Sequence, residues 1–417
     1  MSESNADVLI LGAGVIGLAC AHYLLQAGRS VRVLDQGTAG AATSHGNCGT
    51  ITPSHAPPLA APGMIAKGLK WMLSPDAPLY IKPRLDPALA GWLLHFAARC
   101  NARDWRRTAL ARSELLTASR QLLEELVREH RLDCEFTALG LRYVYRSEEA
   151  LVRELAELPA LRELGIESQL LDGRALMAAE PALLPGMAGA IHFPGDAQLR
   201  PERFTSELAR IVRAQGGIIE EQVGVTGLVI DRGRVQSVAT SAGARRGREV
   251  LLALGPWSAA MLRQTGLRLP VQPGKGYSIT YSRPAVAPST PLVLREHSVC
   301  VTAWDSGFRL GSTMEFAGFD ASLNRVRLDA LERAASQYLR QPTGAEKREE
   351  WAGWRPMTYD DLPILGRAPA QANLWLATGH GMMGMTLSAV TGQLLAELIT
   401  GAAPSIDPRS SSPSRFA

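Results

Sequence analysis

The sequence lacks any paired-cysteine motif. Its five cysteines (Cys20, Cys48, Cys100, Cys134 and Cys300) are scattered, odd in number and show neither a CxxC spacing nor a Cys/His pairing. This usage argues against a disulfide framework and a structural zinc site, and it predicts a reducing compartment. HExxH and GxSxG patterns are also absent, so we predict no bound metal and no serine nucleophile.

The sequence also lacks a large excess of either charge. Its 44 basic and 40 acidic side chains leave a net charge of +4 over 417 residues. This small excess argues against a nucleic-acid partner, although a local basic patch facing an anionic membrane stays open. A hydrophobic content of 46% and a charged content of 20% are ordinary for a soluble globular protein, and the length favours two domains.

Long hydrophobic runs are rare. The run "VLILGAGVIGLACAHYLLQAG" is apolar enough to suggest a signal anchor, but the preceding "MSESNAD" has two acids and no Lys or Arg. The positive flank of a signal peptide is thus missing. No other stretch has the roughly 20 apolar residues that a membrane span needs. The sequence predicts a protein that is soluble or at most peripheral.

The N-terminal run has a second explanation as a dinucleotide site. Asp7 to Leu11 is a short apolar strand, a GxGxxG turn and a helix follow, and "SVRVLD" is a second strand that ends in Asp35. In this order the first glycine allows a tight turn, the second lets the backbone approach a pyrophosphate, and the third permits close packing of helix on strand. The helix N-terminus can bind the phosphates, and the Asp35 carboxylate can bind a ribose hydroxyl.

The segment from Gln36 to Gly63 favours FAD over NAD. It is long, poor in regular structure and dense in Gly, Ala, Ser, Thr and Pro. Long irregular loops inside a compact domain are usually functional, and small residues let the backbone run along a large planar ligand. Thr43, Ser44 and Asn47 offer hydrogen bonds to the phosphate or the ring. The position of the unit at the start of the chain is also typical of flavoproteins.

Four further segments carry a family resemblance: "TSHGNCGTITPSHAPPLAAPGMIAKGLKWML", "GKGYSIT", "GWRPMTYDDLPILGR" and "ATGHGMMGMTLS". In these the chain resembles the FAD-dependent D-amino acid oxidase/glycine oxidase superfamily, and most closely its bacterial D-amino acid dehydrogenase branch. Cys48, Thr50 and His55 depart from the residues that are common there, namely alanine, glutamine and tyrosine. The last two lie in the predicted substrate lid, so the substrate range is expected to differ.

The resemblance implies an α/β protein, α+β overall, of the glutathione-reductase-type, D-amino acid oxidase-like fold. A Rossmann-like FAD-binding domain is expected at 1–60, 195–265 and 350–417, and an antiparallel-sheet substrate domain at 61–194 and 266–349. The residues predicted to bind FAD are Gly12, Ala13, Gly14, Val15, Ile16, Gly17, Asp35, Gln36, Thr43, Ser44, Asn47, Gly49, Val223, Gly255, Gly381, Met382, Met383 and Gly384. Val223 is expected to contact the adenine end through its backbone.

Three residues are predicted to act on the substrate. In the family the Gly-x-Arg-Pro turn supplies the carboxylate clamp, which maps onto Arg355, and the alternative is a solvated loop arginine. A guanidinium suits this role because its planar fork binds both carboxylate oxygens and stays charged. Tyr277 either helps to hold the same carboxylate or is a core tyrosine with a local partner. His55 either steers the substrate amine or a ring substituent, or is polar surface.

Other polar residues have competing interpretations. His45 and His380 are expected beside the flavin, where they could tune it. For Cys48 a packing role is favoured over covalent flavin attachment, because nothing in the sequence around it indicates a lowered pKa. Asp360 and Asp361 are predicted to cap the following segment, and Glu315 to face solvent. Gly379, Gly381 and Gly384 are placed at a helix N-terminus near the flavin, and "SSSPSRFA" is predicted to be a disordered tail.

The function predicted by the resemblance is oxidation of a free D-amino acid, with hydride passing from Cα to FAD and electrons going to a quinone or another acceptor. D-Proline or cis-4-hydroxy-D-proline is the specific expectation. The alternatives are a glycine or sarcosine oxidase that uses oxygen, and a non-catalytic FAD subunit that binds partners through the predicted helices at 85–130. The expected location is cytoplasmic, with possible peripheral contact at the inner face of the bacterial inner membrane.

Overall fold

A computed structural model describes residues 6–72 and 77–416. The helices are α1 (Val15–Gln26), α2 (Met64–Trp71), α3 (Pro87–Arg99), α4 (Ala102–His130), α5 (Glu148–Leu155), α6 (Leu158–Glu163), α7 (Gly173–Ala179), α8 (Pro201–Ala214), α9 (Ser258–Leu262), α10 (Arg325–Ser336) and α11 (Ser388–Thr400). The strands are β1 (Ala6–Leu11), β2 (Val31–Leu34), β3 (Thr50–Ile51), β4 (Leu79–Ile81), β5 (Leu141–Tyr145), β6 (Gln169–Asp172), β7 (Gly189–Phe193), β8 (Ala197–Gln198), β9 (Ile218–Glu220), β10 (Val225–Asp231), β11 (Arg234–Thr240), β12 (Gly243–Arg245), β13 (Gly247–Leu252), β14 (Val271–Tyr281), β15 (Leu292–Leu294), β16 (Val299–Trp304), β17 (Gly307–Phe316), β18 (Lys347–Thr358), β19 (Ile364–Arg367) and β20 (Leu374–Thr378).

The first sheet has the order β19-β20-β13-β1-β2-β9. Its pairs are parallel except for the edge pair of β19 with β20. The central strands are almost wholly apolar because both faces of this sheet are covered: helices pack on one face, and the three-stranded sheet β10-β11-β12 with α9 packs on the other. On one face α1 packs against α8 and α11, and their buried side chains form one core cluster. This sheet brings the glycine turn after β1 next to the ends of β13 and β20.

The second sheet has the order β18-β14-β17-β16-β15-β5-β7-β6, with β4 added at β17. Most of its pairs are antiparallel; β15 with β5 and β17 with β4 are parallel. Helix α10 packs on one face through a cluster of buried apolar side chains. The opposite face is therefore available to form the wall of a cavity.

The pairing of strand β18 changes one of the predicted domain boundaries. The boundary predicted at residue 350 falls inside β18, which pairs with β14 along its length and belongs to the second sheet. Arg355 is thus carried by the antiparallel sheet. The division into domains otherwise stays a prediction.

The helices predicted over residues 85–130 are present as α3 and α4. The Asp86 carboxylate accepts a hydrogen bond from the Leu89 amide at 2.9 Å and caps α3. Asn101 caps α4 in the same way through the Asp104 amide at 3.0 Å. Within the described residues no helix is both long and apolar enough to cross a membrane.

The prediction of a disordered C-terminal tail is wrong for residues 410–416. Short 3-10 turns cover Pro408–Ser411 and Pro413–Phe416. The Arg415 guanidinium donates to the Asp360 carboxylate at 2.9 Å and to the Leu362 carbonyl at 2.9 Å. The low hydrophobicity of the tail concealed this anchor, because it depends on a buried acid far away in the sequence. Ala417 lies outside the described residues.

Candidate active site

A cavity of about 2170 Å³ extends from the glycine turn after β1 to the free face of the second sheet. Of the residues predicted from the sequence, those that line it are Gly12, Gly14, Val15, Ile16, Asp35, Gln36, Thr43, Ser44, Asn47, His55, Gly255, Tyr277, Arg355, Gly381, Met382, Met383 and Gly384. Ala13, Gly17, Gly49 and Val223 are not on its wall. The cavity is large enough for a dinucleotide and a small substrate together.

The three glycines of the turn have different roles. Gly12 has φ +105°, and a Cβ there would overlap the Ala253 carbonyl. A Cβ at Gly17 would overlap the Gly12 carbonyl, so these two glycines are required by the fold itself. A Cβ at Gly14 would meet only the Ser44 hydroxyl, at 3.6 Å. The space beside Gly14 therefore opens to the cavity, as a pyrophosphate site requires.

Asp35 is hydrogen-bonded to the backbone of this turn. Its carboxylate accepts hydrogen bonds from the Ala13 amide at 2.7 Å and the Gly37 amide at 2.8 Å. Burial raises its pKa, while these two amides oppose that effect. The amide of Val223 donates to the Asp35 carbonyl at 2.7 Å, which leaves only the Val223 carbonyl for the predicted backbone contact with adenine.

The loop after β2 uses its polar side chains to hold its own shape. Thr43 donates to the Trp354 carbonyl at 3.0 Å, Ser44 accepts from the Val15 amide at 3.1 Å, and Asn47 accepts from the Gly49 amide at 2.7 Å. These bonds place the loop along the cavity wall. Gly49 serves the fold, since it has φ +74° and a Cβ there would overlap the Leu199 carbonyl.

These residues fit FAD. The N-terminus of α1 opens to the cavity with no acidic residue in its first turn, and Asp35 lies at the carboxyl end of the neighbouring strand. The turn that carries Gly381 and the two methionines closes the wall opposite the loop. This turn runs to Leu387, and α11 begins only at Ser388, later than the predicted helix N-terminus at Gly379–Gly384.

Arg355 lies on the cavity wall in β18, the edge strand of the second sheet. Its guanidinium lies flat against Gly276, where a Cβ would overlap it, and Nη1 donates to the Thr313 carbonyl at 2.8 Å. Burial lowers its pKa, and no described carboxylate forms an ion pair with it. A buried guanidinium with one carbonyl partner and an open cavity in front of it is suited to bind a ligand carboxylate.

The Thr313 carbonyl reaches Arg355 because of a β-bulge in β17. Tyr277 pairs with Ser312 while Lys275 pairs with Glu315, so β17 has one extra residue there. Ser312 and Thr313 have φ values of +140° and +59°, which is unusual for residues other than glycine. Such strain is concentrated at functional sites. Nothing in the sequence signalled it.

Tyr277 does not join Arg355 in a clamp. Successive side chains of a strand point to opposite faces, and the position of Gly276 faces Arg355. The Tyr277 side chain packs on the other face with the α10 cluster, and its hydroxyl donates to Glu315 at 2.8 Å. The clamp interpretation is therefore replaced by its alternative, a core tyrosine with a local partner. Glu315 is buried, which makes the prediction of a solvent-facing Glu315 wrong.

His55 is part of the cavity wall and not polar surface. Its Nε2 lies 2.9 Å from the Tyr143 hydroxyl, and its Nδ1 has no partner among the described atoms. Burial, with the nearby charges of Arg295 and Arg112, lowers its pKa to about 3. His55 is thus a neutral hydrogen-bonding group at physiological pH. Thr50, in the same predicted lid, lies in β3 and pairs with Gln198, so this segment is tied into the fold.

Two histidines and two aspartates were also assigned roles from the sequence, and the structure agrees with one prediction of each pair. His380 lines the cavity and lies 3.0 Å from the Thr391 hydroxyl. His45 is off the wall, and its Nε2 lies 2.8 Å from Glu349. Asp360 caps locally through the Leu362 amide at 3.3 Å, as predicted. Asp361 instead accepts from the Leu59 amide at 2.5 Å, which connects two distant segments.

Sequence reasoning missed several residues of the wall. Tyr143 and Arg295 line the cavity, and the Arg295 guanidinium lies 5.1 Å from the Tyr143 ring and forms an ion pair with Glu154. Arg112, from α4, donates to the carbonyls of His55, Ala56 and Asp361 and so fixes the loop that carries His55. The role of Tyr143 depends on the register of β5, and the role of Arg112 depends on the position of α4. No local sequence pattern predicts either.

Comparison with known proteins identifies the class. The FAD dependent oxidoreductase (DAO) family matches residues 7–398, and the chain belongs to this family. A D-amino acid dehydrogenase of Methylobacterium nodulans is 37% identical over 408 residues, covering 96% of each chain. One of Xanthobacter autotrophicus is 36% identical, covering 98% of this chain and 99% of that protein.

Solved structures agree on the fold. Glycine oxidase from Geobacillus kaustophilus superposes with a TM-score of 0.81 at 24% identity, covering 99% of both chains. L-Proline dehydrogenase from P. horikoshii gives 0.77 at 16% identity, covering 99% of this chain and 98% of that one. The predicted α/β fold class of D-amino acid oxidase type is thereby confirmed. The chain is an FAD-dependent oxidoreductase.

Proposed function

We propose that the protein oxidises free D-amino acids, as the names of its relatives state for them. The observation that carries this proposal is the Arg355 guanidinium, which is buried on the cavity wall with the Thr313 carbonyl and the Met314 sulfur as the described partners of Nη1 and no described carboxylate paired with it. FAD, when bound, accepts the hydride that leaves Cα. The chain's own task is to bind the α-carboxylate at Arg355 and thereby fix the direction of the Cα–H bond.

The surroundings of Arg355 favour binding of an anion over a purely structural role. Arg112 is a structural arginine for comparison. Each of its three guanidinium nitrogens donates a hydrogen bond to a backbone carbonyl. In Arg355 only Nη1 bonds to the protein, to the Thr313 carbonyl and more weakly to the Met314 sulfur, while the residue lines the cavity. The cost of burying that charge is offset when a carboxylate binds.

The decisive test is anaerobic mixing of the FAD-loaded protein with single D- and L-amino acids, sarcosine and both hydroxyprolines. Bleaching of the flavin absorbance by D-amino acids, lost in Arg355→Met, would support the proposal. Arg348→Met is the matched control, because Arg348 lies on the same strand but is exposed and pairs with Glu346. A flavoprotein that no amino acid bleaches would refute it and favour a non-catalytic FAD subunit.

For the substrate side chain we propose a cyclic D-amino acid, D-proline or cis-4-hydroxy-D-proline. His55 and Tyr143 both line the cavity, with His55 Nε2 2.9 Å from the Tyr143 hydroxyl, and this pair of polar side chains supports binding of a ring hydroxyl. His55→Phe is expected to remove any preference for hydroxyproline over proline while D-proline turnover persists. An unchanged ratio of kcat/KM for the two would refute the assignment of His55.

A dehydrogenase that passes electrons to a quinone or another acceptor is our proposal, and a glycine- or sarcosine-type oxidase that uses oxygen is the alternative. Helix α2 supports the first, since it lines the cavity, buries none of its residues and exposes Ile65 and Leu69 beside Lys70. An apolar face with lysines at the mouth of the site suits contact with an acceptor at a membrane surface. Turnover with a dye but not with oxygen would identify a dehydrogenase and not an oxidase. For the membrane contact, we expect Leu69→Ser to lower the binding of the protein to anionic vesicles.

A further inference from the structure

Two cysteines lie together on the cavity wall. In the register of the second sheet Cys300 of β16 is opposite Gly311 of β17. A Cβ at Gly311 would overlap the Cys48 sulfur, so the Cys48 side chain occupies the position directly across from Cys300. The two thiols are close enough to hydrogen-bond to each other, which is the proximity that a disulfide between them requires. Both cysteines line the cavity and neither is fully buried.

The two thiols are chemically unequal. A hydrogen bond with Cys300 lowers the pKa of Cys48, and the positive charges of Arg309 and Arg355 act in the same direction against the effect of burial. The same contact, with burial, raises the pKa of Cys300. A thiol that ionises readily beside one that stays protonated is the arrangement of a reactive cysteine with its resolving partner.

The other three cysteines lack these features. Cys20 and Cys134 are buried in the core around α1, and burial raises the pKa of each. Cys100 follows α3, donates to the Phe96 carbonyl at 3.4 Å, and burial raises its pKa as well.

We propose that Cys48 and Cys300 form a redox-modifiable dithiol that a hydroperoxide converts to a disulfide. The Cys48 thiolate attacks the O–O bond, which breaks as an S–O bond forms, and the leaving oxygen takes a proton to become water. The Cys300 sulfur then attacks the Cys48 sulfenic acid, an S–S bond forms, and the S–O bond breaks with loss of a second water. Two thiols give up two electrons, and the peroxide is reduced.

The disulfide would alter the wall beside the carboxylate site. The Cys48 thiolate, when it forms, interacts favourably with the Arg355 charge, and the neutral disulfide cannot form it. After oxidation, no Cys48 thiolate competes with a bound carboxylate for the positive charge of Arg355. We expect the dissociation constant of a simple carboxylate such as benzoate to change on oxidation and to return to its original value when dithiothreitol is added.

The test uses the reduced FAD-loaded enzyme, hydrogen peroxide and peptide mass mapping, so it does not depend on the substrate. The expected result is a cross-linked peptide pair holding residues 48 and 300, loss of two titratable thiols, and recovery with dithiothreitol. Cys300→Ser should leave a Cys48 sulfenic acid that dimedone traps, and Cys100→Ser should behave as the unsubstituted protein. Phenylarsine oxide, which needs two adjacent thiols, should protect both cysteines from alkylation.

Two results would overturn the proposal. One is that Cys48 and Cys300 both remain open to alkylation after peroxide treatment. The other is that Cys48 passes to sulfinic acid in the unsubstituted protein with no disulfide formed. Because the unsubstituted protein gives either answer, poor folding of a variant leaves the test intact. Amino acid turnover is measured separately, so failure of the proposed function would not affect it.

Discussion

The Thr313 carbonyl accepts a hydrogen bond from Arg355 Nη1 at 2.8 Å, from a backbone that is held at φ +59°. This contact fixes the guanidinium plane against Gly276 while its other donors face the cavity. A lysine at 355 has one nitrogen and no planar fork, so it can satisfy the carbonyl or one carboxylate oxygen but not the whole arrangement.

We therefore expect Arg355→Lys to raise KM for the amino acid substrate about tenfold to a hundredfold, the range given by about 1.5–3 kcal/mol for a hydrogen bond to a charged group. Steady-state kinetics with a dye acceptor measures it, with Arg348→Lys as the control on the same strand. A change of less than threefold in KM would show that the guanidinium does not bind the carboxylate.

The bulge itself can be tested at Thr313. A β-branched residue at positive φ costs about 1–2 kcal/mol, whereas glycine adopts that conformation freely but loses about 0.5–1 kcal/mol of chain entropy on folding. Thr313→Gly should therefore leave the free energy of unfolding unchanged or raise it by about 1 kcal/mol. Thr302→Gly, at a buried position of the adjacent strand, should lower it. Urea unfolding of both variants measures this, and a clear loss at Thr313 would contradict the assigned strain.

Tyr277→Phe separates a core role from a substrate role. The Tyr277 hydroxyl donates to a buried Glu315, whose other described partner is the Asn324 amide at 3.4 Å. Removing the hydroxyl leaves that carboxylate poorly bonded, so we expect the free energy of unfolding to fall by about 1–3 kcal/mol with KM unchanged. The opposite pattern, intact stability with a raised KM, would return Tyr277 to the carboxylate site.

The glycine turn gives a position-by-position prediction for FAD. Gly14→Ala should fold normally, because its Cβ meets only the Ser44 hydroxyl at 3.6 Å, but should bind FAD more weakly because the methyl group enters the cavity. Gly17→Ala should instead destabilise the fold, since its Cβ overlaps the Gly12 carbonyl. Equilibrium dialysis of FAD and thermal unfolding of the apoprotein distinguish the two. Equal FAD affinity for Gly14→Ala and the unsubstituted protein would contradict the pyrophosphate placement.

The sequence predicted those parts of the site that have a local pattern. The GxGxxG turn with Asp35 specifies strand, turn and helix through short-range geometry, and the Gly-x-Arg-Pro motif indicated Arg355, although this segment lies in strand β18 and not in the predicted turn. It could not predict which face of β14 Tyr277 occupies, because a one-residue change of register moves a side chain to the other face. The side chain of Cys48 over Gly311 and the bulge at Thr313 also depend on pairing between strands that are distant in the chain. For the same reason the sequence left His55 open between a substrate role and polar surface, since Arg112 and Tyr143 approach it from separate elements.

The buried histidines predict how stability depends on pH. Burial lowers the pKa of His380 to about 3, whereas an unfolded histidine titrates near pH 6.5. Between these values the unfolded chain binds a proton that the native protein does not, so stability falls as the pH falls, by about 1.4 kcal/mol per pH unit. His55, at about 3, and His22, at about 4, act in the same direction. Asp196, whose pKa burial raises to about 7, acts in the opposite one.

Because these groups act together, the prediction is made for a difference between two proteins. His380→Gln removes one of the three histidine contributions, and its side-chain amide can occupy the position of His380 Nε2, which lies 3.0 Å from the Thr391 hydroxyl. From pH 6 to pH 4.5 the unsubstituted protein should lose about 1.4 kcal/mol per pH unit more than the variant does. Urea unfolding at several pH values measures both slopes. Parallel slopes would mean that His380 is protonated in the native protein and that its site admits a charge.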